Sequence, residues 1–456
     1  MKVPASIFRQ YDIRGLVDAE LTPALAQALG RAFASAAWDR LRRAPVIAVG
    51  RDNRPSGSAL AAGIRRGICE AGGKALDIGE APTPALYFAV HDLKADGGVQ
   101  VTGSHNPPEF NGFKMVLAGE AVHGDAILAL RDVIESERWR TGPGHEEKVV
   151  GILDSYCKAI VGRNHLARHV RVVVDCGNGV SSLVAVDTLS ALGAEVTPLF
   201  CDSDGSFPNH HPDPTVPENL RDLQRAVAET RAELGIAFDG DGDRIGAVDE
   251  DGRIIWGDQL LIILGRDAVR RFGKGVPVIF DVKCSELLPQ ALEAAGAQPV
   301  MWKTGHSLIK AKMKELHAPL AGEMSGHMFF AGDWFGFDDA LFAAARLLEI
   351  VAAAPGGLAR LLADLPETVT TPEIRVDCPE EVKFDLVARA AEHFAGLYRV
   401  NTIDGVRIAF ADGWGLLRAS NTQPVLVLRF EATSEAALAR YRGEVTAWLA
   451  SQGVPA

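Results

Sequence analysis

Four short loops carry the residues able to do chemistry. The first is Thr102-Gly103-Ser104-His105-Asn106-Pro107, which follows the run Gly97 to Val101. Gly103 permits backbone angles closed to other residues, and Asn106-Pro107 is turn chemistry. Ser104 is therefore expected at the exposed tip of a rigid turn, with His105 beside it. A serine so placed can act as a nucleophile or carry a covalently bound group. Most Ser-His pairs in loops are merely solvated, so the meaning of this one rests on the other three loops.

The second loop is Asp239-Gly240-Asp241-Gly242-Asp243-Arg244. Its glycines let three carboxylates curl onto one point, where a divalent cation is the natural neutraliser. A calcium EF-hand is the rival, with acids at positions 1, 3 and 5 and Glu250 at position 12. Arg244 stands where that motif needs glycine, and the flanks Ile236 to Phe238 and Ile245 to Val248 read as strands rather than helices. Mg²⁺ fits better, because substrate oxygens can complete its shell. The plain alternative is a solvated acidic turn. The third loop pairs Lys303-Thr304-Gly305-His306 with Gly322-Glu323-Met324-Ser325-Gly326-His327, whose donors and acceptors suit the hydroxyls of a sugar. The fourth, Arg418-Ala419-Ser420-Asn421-Thr422-Gln423-Pro424, offers a guanidinium fork, hydroxyls, an amide and backbone N–H groups to a phosphate dianion.

These loops need a scaffold, and its pattern recurs. A short apolar run, a polar loop, a helix, a glycine stop and a second strand occur at Val46 to Ile78, Val170 to Leu199 and Val278 to Trp302. Each is a βαβ unit, and three at domain-sized separation predict three related α/β domains in tandem. The tail reads differently. Strand-like runs at 373–377, 405–410, 415–418 and 425–430 and helices at 380–394 and from Ser434 predict a C-terminal α+β domain with antiparallel hairpins. Domain boundaries are expected after residues 144, 252 and 366.

Composition excludes several classes. The 456 residues exceed one hydrophobic core. A net charge of −12 argues against a nucleic-acid or anionic-membrane surface. The six cysteines are scattered without a Cys-x-x-Cys, as in reduced thiols of a cytoplasmic protein. No apolar run is long enough to span a bilayer and the first fifteen residues lack a signal-peptide core, so membrane insertion and secretion are not expected.

In combination and order, the motifs Thr-Gly-Ser-His-Asn-Pro, Asp-Gly-Asp-Gly-Asp-Arg, Gly-Glu-Met-Ser-Gly-His and Arg-Ala-Ser-Asn-Thr resemble those of the α-D-phosphohexomutase family. The match is to its bacterial phosphomannomutase/phosphoglucomutase branch and runs from Tyr11-Asp12-Ile13-Arg14-Gly15 to Pro424. Met324 stands where a phosphoglucosamine mutase would carry glutamine. The resemblance implies four domains around a central cleft and a phosphoryl group on Ser104. It implies Mg²⁺ held by Asp239, Asp241, Asp243 and the phosphorylated Ser104. Glu323 and Ser325, with His327, match the sugar-reading loop. Arg418, Ser420, Asn421 and Thr422 match the loop that holds the non-reacting phosphate. Lys114 matches a lysine near the reacting hydroxyl, and Arg14, Arg244, Lys283 and His306 match other cations of the cleft, with Tyr11 among the expected substrate-binding residues.

The implied reaction moves a phosphoryl group between the 1- and 6-positions of glucose or mannose phosphate. It passes through a hexose 1,6-bisphosphate, and glucose 1,6-bisphosphate is the expected activator. Lys114 or His105 would take the proton of the attacking hydroxyl, and Arg244 would stabilise the transferring oxygens. The expected partners are small-molecule hexose phosphates, and the expected state is a monomer. Two other classes remain: a non-catalytic sugar-phosphate binder on the same scaffold, and a metal-dependent phosphatase that passes its phosphoryl group to water.

Overall fold

The computed structural model describes residues 1–421 and 423–454 and contains four β-sheets. The three βαβ units share one topology. In the first, strands Val46–Arg51, Lys74–Glu80 and Gly97–Val101 run parallel, and Phe110–Leu117 returns antiparallel against Gly97–Val101. In the second, Arg171–Asp175, Glu195–Leu199 and Leu234–Phe238 are parallel and Ile245–Asp249 returns. In the third, Pro277–Asp281, Gln298–Trp302 and Leu320–Gly322 are parallel and Met328–Phe330 returns. The first strand of each unit is apolar and buried, as a parallel strand covered on both faces must be.

In each unit the polar turn between the third parallel strand and its antiparallel return is one of the loops singled out by composition. It holds Ser104 in the first domain, Asp239 to Arg244 in the second and Glu323 to His327 in the third. The first sheet is extended by Ile13–Leu16 at one edge and by His145–Lys148 at the other, where it pairs with Lys74 to Asp77. The expected boundary after residue 144 thus falls just before a strand of the first sheet.

Local signals set the helices. Pro23–Leu41 starts where Thr22 accepts a hydrogen bond from Leu25 N at 3.2 Å, with proline at a position that needs no donor. Ser434 caps Glu435–Ser451 in the same way, accepting from Ala437 N at 3.3 Å. Asp339 caps Ala340–Ala353 and also accepts from Tyr156 Oη and Trp334 Nε1.

Helix Thr83–Asp92 of the first domain buries Ala85 to Val90 in a core that continues through the second and third domains. The C-terminal domain is a six-stranded antiparallel sheet with helices Glu380–Ala395 and Glu435–Ser451 and its own core. It meets the third domain through a small cluster of Val282, Trp414 and Leu416 and through polar contacts. Arg407 donates to the carbonyls of Val282 and Cys284, and Arg429 to that of Lys283. Among the described residues, no helix is long and apolar enough to cross a membrane.

Candidate active site

Ser104 is not at an exposed tip. It is 1% exposed and sits against the second domain, its carbonyl so close to Gly240 that a Cβ there would lie 2.4 Å from it. The left-handed residue of the turn is Ser104 itself, at φ 52°, rather than Gly103. Gly103 serves a different need: a Cβ there would lie 2.5 Å from the guanidinium of Arg54.

That guanidinium, wholly buried, frames the loop. Nη2 donates to Ser104 O at 2.8 Å and Asn106 O at 2.5 Å, Nη1 to Pro107 O at 2.5 Å and Phe110 O at 3.0 Å, and Nε to Asp52 at 3.1 Å. Asp52 accepts in addition from Thr102 Oγ1 and Gly103 N. The backbone is thereby fixed, and Ser104 Oγ is aimed at Asp239 Oδ2, 3.1 Å away, with His105 Nδ1 also at 3.1 Å.

The three aspartates converge as their spacing predicted. A ligand oxygen from each of Asp239, Asp241 and Asp243 lies within 4.8 Å of the others, and all three side chains are buried. Asp239 Oδ1 accepts from the backbone of Asp243 and Arg244, closing the turn. The first domain contributes Thr83, whose Oγ1 donates to Asp241 Oδ2 at 2.5 Å, and Lys114, whose Nζ donates to Asp241 Oδ2 at 2.7 Å and to Asp243. Asp241 Oδ1 is buried and accepts no hydrogen bond among the described residues, while Asp243 Oδ1 faces His327 Nε2 at 3.3 Å. Convergent carboxylates with an unsatisfied oxygen fit a divalent, oxygen-preferring cation such as Mg²⁺.

Protonation follows the same geometry. Burial, then repulsion from Asp243 and Asp241, pushes the Asp239 carboxyl well up. Burial opposes the charge on Lys114, but Asp241 and Asp243 hold it protonated well above the usual lysine range. Burial, joined by Arg244, Arg14 and Lys114, drives the His105 imidazole well below its ordinary value, so it is neutral. Burial would also lower His327, but Asp243 and Glu323 outweigh it and Arg244, and raise it to about 9.

The residues of the third loop gather beside the aspartates. His327 Nε2 lies 3.3 Å from Asp243 Oδ1 and 3.4 Å from Arg244 Nε, while its Nδ1 faces Ser325 Oγ at 3.0 Å and Glu323 Oε2 at 3.3 Å. Glu323 accepts from Gly305 N at 2.7 Å, which brings His306 to within 6.0 Å of the His327 ring, centroid to centroid. Tyr11 joins three domains: its hydroxyl donates to Thr304 O and accepts from Asn421 Nδ2, both at 2.8 Å, and burial raises its pKa to about 12. Arg14 pairs with Asp12 at 2.6 Å and donates to Asn106 at 3.1 Å. Lys283 lies between Glu373 at 3.4 Å and Asp281 at 3.9 Å.

In the fourth loop Arg418 and Ser420 are buried, and Arg418 Nε is held by Asp404 Oδ2 at 2.7 Å. The same oxygen of Asp404 accepts from Thr304 N at 2.9 Å, which ties this loop to the third domain. Thr422 lies outside the described residues. Loops from all four domains thus converge.

The residues that composition did not single out are the supports: Asp52, Arg54, Thr83, Asp281 and Asp404. Asp52 and Asp281 were within reach. They end or follow the first strand of their repeats, and each clamps the corresponding loop, Asp281 by accepting from Met324 N at 3.0 Å just as Asp52 accepts from Gly103 N. Asp404 and Thr83 carry no pattern that marks them.

Known proteins agree with this organisation. Families described as phosphoglucomutase/phosphomannomutase α/β/α domains I, II and III match residues 5–141, 154–252 and 256–369, and the C-terminal domain of the same group matches 373–447. A phosphomannomutase/phosphoglucomutase of Pseudomonas aeruginosa is 48% identical over 99% of this chain and 98% of its own. A phosphoglucomutase of Neisseria gonorrhoeae is 45% identical, with 98% of each chain covered. The crystal structure of a phosphoglucomutase/phosphomannomutase family protein from Burkholderia thailandensis superposes with a TM-score of 0.92 at 45% identity, covering 99% of this chain and 98% of that one. With all four domains matched in order and near-complete coverage by relatives of this identity, the chain belongs to the phosphoglucomutase/phosphomannomutase family of α-D-phosphohexomutases.

Proposed function

We propose that this chain interconverts the 1- and 6-phosphates of glucose and mannose, with Ser104 as the phosphoryl carrier. The observation that carries the reading is the aim of Ser104 Oγ, 3.1 Å from Asp239 in a buried carboxylate cluster, at the meeting point of sugar- and phosphate-binding loops. Asp239, Asp241 and Asp243 would hold Mg²⁺, which when bound draws charge from the transferring phosphoryl oxygens. Arg244, beside the cluster and 4.0 Å from Asp239, adds a fixed positive charge to the same oxygens.

Phospho-Ser104 gives its phosphoryl group to the free hydroxyl of a hexose monophosphate. The resulting 1,6-bisphosphate turns over in the cleft and returns its other phosphate to Ser104. Glu323, Ser325 and His327 read the sugar hydroxyls. Arg418, Ser420, Asn421 and Thr422 hold the phosphate that is not reacting, and Arg14, Lys283, His306 and Tyr11 line the remaining wall. Two groups can receive the hydroxyl proton. His105 is held neutral and needs no change to do so. Lys114 is held protonated by Asp241 and Asp243 and serves only once those carboxylates have another cation partner. Glucose 1,6-bisphosphate is the activator that loads Ser104.

A coupled assay with glucose 1-phosphate and mannose 1-phosphate, primed with glucose 1,6-bisphosphate, tests the reading. Both 6-phosphates should form at comparable rates, since the sugar-loop groups address hydroxyls the two epimers share. Accumulation of free phosphate instead of isomer would make the protein a phosphatase, and binding without turnover would make it a sugar-phosphate binder.

A further inference from the structure

The guanidinium of Arg418 is 6% exposed, and its charge already has a partner. Asp404 Oδ2 accepts from Arg418 Nε at 2.7 Å and, with the same oxygen, from Thr304 N at 2.9 Å. The carboxylate is thus held by a backbone N–H of the third domain as well as by the residue it neutralises. Pairing at Nε leaves an anion the end-on approach to Nη1 and Nη2. Lys283, another cation of the cleft, is offset in the same way, with Glu373 Oε2 at 3.4 Å and Asp281 Oδ2 at 3.9 Å.

A carboxylate beside a phosphate site opposes binding, because like charges repel strongly in a partly buried cleft. A site that only had to hold a phosphate dianion would surround it with uncompensated donors. In the mutase reading the fourth loop has two tasks. It holds the phosphate that is not reacting, and then it releases that phosphate so that the bisphosphate can present its other end to Ser104. The tightest grip would stall the second task. A fixed carboxylate on Nε keeps Arg418 neutralised when no phosphate is bound, which stabilises the empty loop against the filled one.

We infer that Asp404 sets the strength of the phosphate grip: its charge weakens binding at Arg418 enough for the bisphosphate to let go and turn. The role in release rests on the mutase reading; the effect of the charge on anion affinity requires no turnover. Asp404 also orients Arg418, and the two roles differ in sign. Asp404→Asn can present a carbonyl oxygen in place of Oδ2, so it keeps both hydrogen bonds and removes only the charge. Loss of orientation weakens phosphate binding, whereas loss of the charge strengthens it.

The test uses the full chain in saturating Mg²⁺. Binding of inorganic phosphate and of glucose 1-phosphate is measured by calorimetry, alongside steady-state kinetics in both directions and release of glucose 1,6-bisphosphate. Asp404→Asn should bind both ligands about tenfold more tightly than wild type. KM should fall for glucose 1-phosphate and glucose 6-phosphate together, kcat should fall at least threefold, and less bisphosphate should escape. Asp404→Glu, which keeps the charge, should not bind phosphate more tightly than wild type. Unchanged or weaker phosphate binding by a folded Asp404→Asn protein, or tighter binding by Asp404→Glu, would overturn the role of the charge. Tighter binding by Asp404→Asn with an unchanged kcat would overturn the role in release. Tighter binding by Asp404→Asn in a protein with no mutase turnover would support the role of the charge and overturn the mutase reading instead.

Discussion

Replacing Arg54 by methionine removes the frame of the Ser104 loop without touching any group that meets substrate. The side chain is wholly buried and its guanidinium donates to four loop carbonyls and to Asp52. A hydrogen bond from a charged donor contributes about 1.5–3 kcal/mol. Those terms do not add, because the loop can relax and water can reach some carbonyls. Removing one partner of a buried ion pair costs about 3–5 kcal/mol, and this bounds the loss in stability of the first domain. The effect on chemistry comes through position. Ser104 sits at φ 52°, a conformation that L-residues adopt at a cost, and Arg54 is the group that holds its carbonyl there. With the frame gone, Oγ leaves its line to Asp239. Misplacement of about 1 Å lowers turnover by roughly a hundredfold. KM should stay within about threefold, since Arg418 and the sugar loop are untouched. The assays are denaturant unfolding, steady-state kinetics and the intact mass after loading with glucose 1,6-bisphosphate. Arg54→Lys, which keeps the charge but not the planar fork, should recover part of the stability and little of the rate. A folded Arg54→Met protein with full kcat would refute the claim that this residue positions Ser104.

Ser104→Ala should abolish turnover and the added phosphate mass; burial makes a stability loss of about 1 kcal/mol the expectation, from the hydrogen bond to Asp239, and near-normal activity would remove Ser104 as carrier. Arg418→Ala should raise KM for glucose 1-phosphate and glucose 6-phosphate together, by about ten- to a hundredfold, and let bisphosphate escape; unchanged KM for both would exclude it from the phosphate grip. Glu373 is held down at about 2, chiefly by Lys283. Its contribution is therefore complete above its ordinary value near 4.5 and lost as pH falls toward 2, a dependence that Glu373→Gln should abolish in a carboxyl titration followed by unfolding.

The parts of the site that the sequence disclosed are those with a local signature. Alternating Asp and Gly at 239–243 can only curl, and the carboxylates meet. The βαβ rhythm marked three domains because its period and its glycine stops are local as well. Burial of Ser104 was not legible, because it depends on the second domain closing over the turn at Gly240, a contact between residues far apart in the chain. The pairing of Arg418 with Asp404 was hidden for a related reason: the two are brought together by the antiparallel sheet, and nothing in the run around Asp404 marks it as an anchor. The EF-hand alternative fails on the flanks, which are the paired strands Leu234–Phe238 and Ile245–Asp249.

Position in the repeat explains why these loops can cooperate. An antiparallel return leaves a turn whose ends are pinned by the ladder, at Val101 and Phe113, Phe238 and Ile245, and Gly322 and Met328. Each repeat therefore delivers one well-placed loop at the same end of its sheet, and each could diverge in composition without disturbing the strands. The first three are locked together by helix Thr83–Asp92 inside a shared core and by Thr83 and Lys114 on the aspartates. The fourth loop is also a turn between paired strands, Gly413–Ala419 and Val425–Ala432, but its domain has a separate core and meets the others mainly through polar contacts. The division matches what a reorienting bisphosphate requires. The groups around the transferring phosphoryl must stay fixed, because charge stabilisation depends on preorganisation. In the proposed reading the group that grips the opposite end must accept a 1- or a 6-phosphate in turn, a role that would fall to Arg418 on a polar-tethered domain without moving Ser104 or the aspartates.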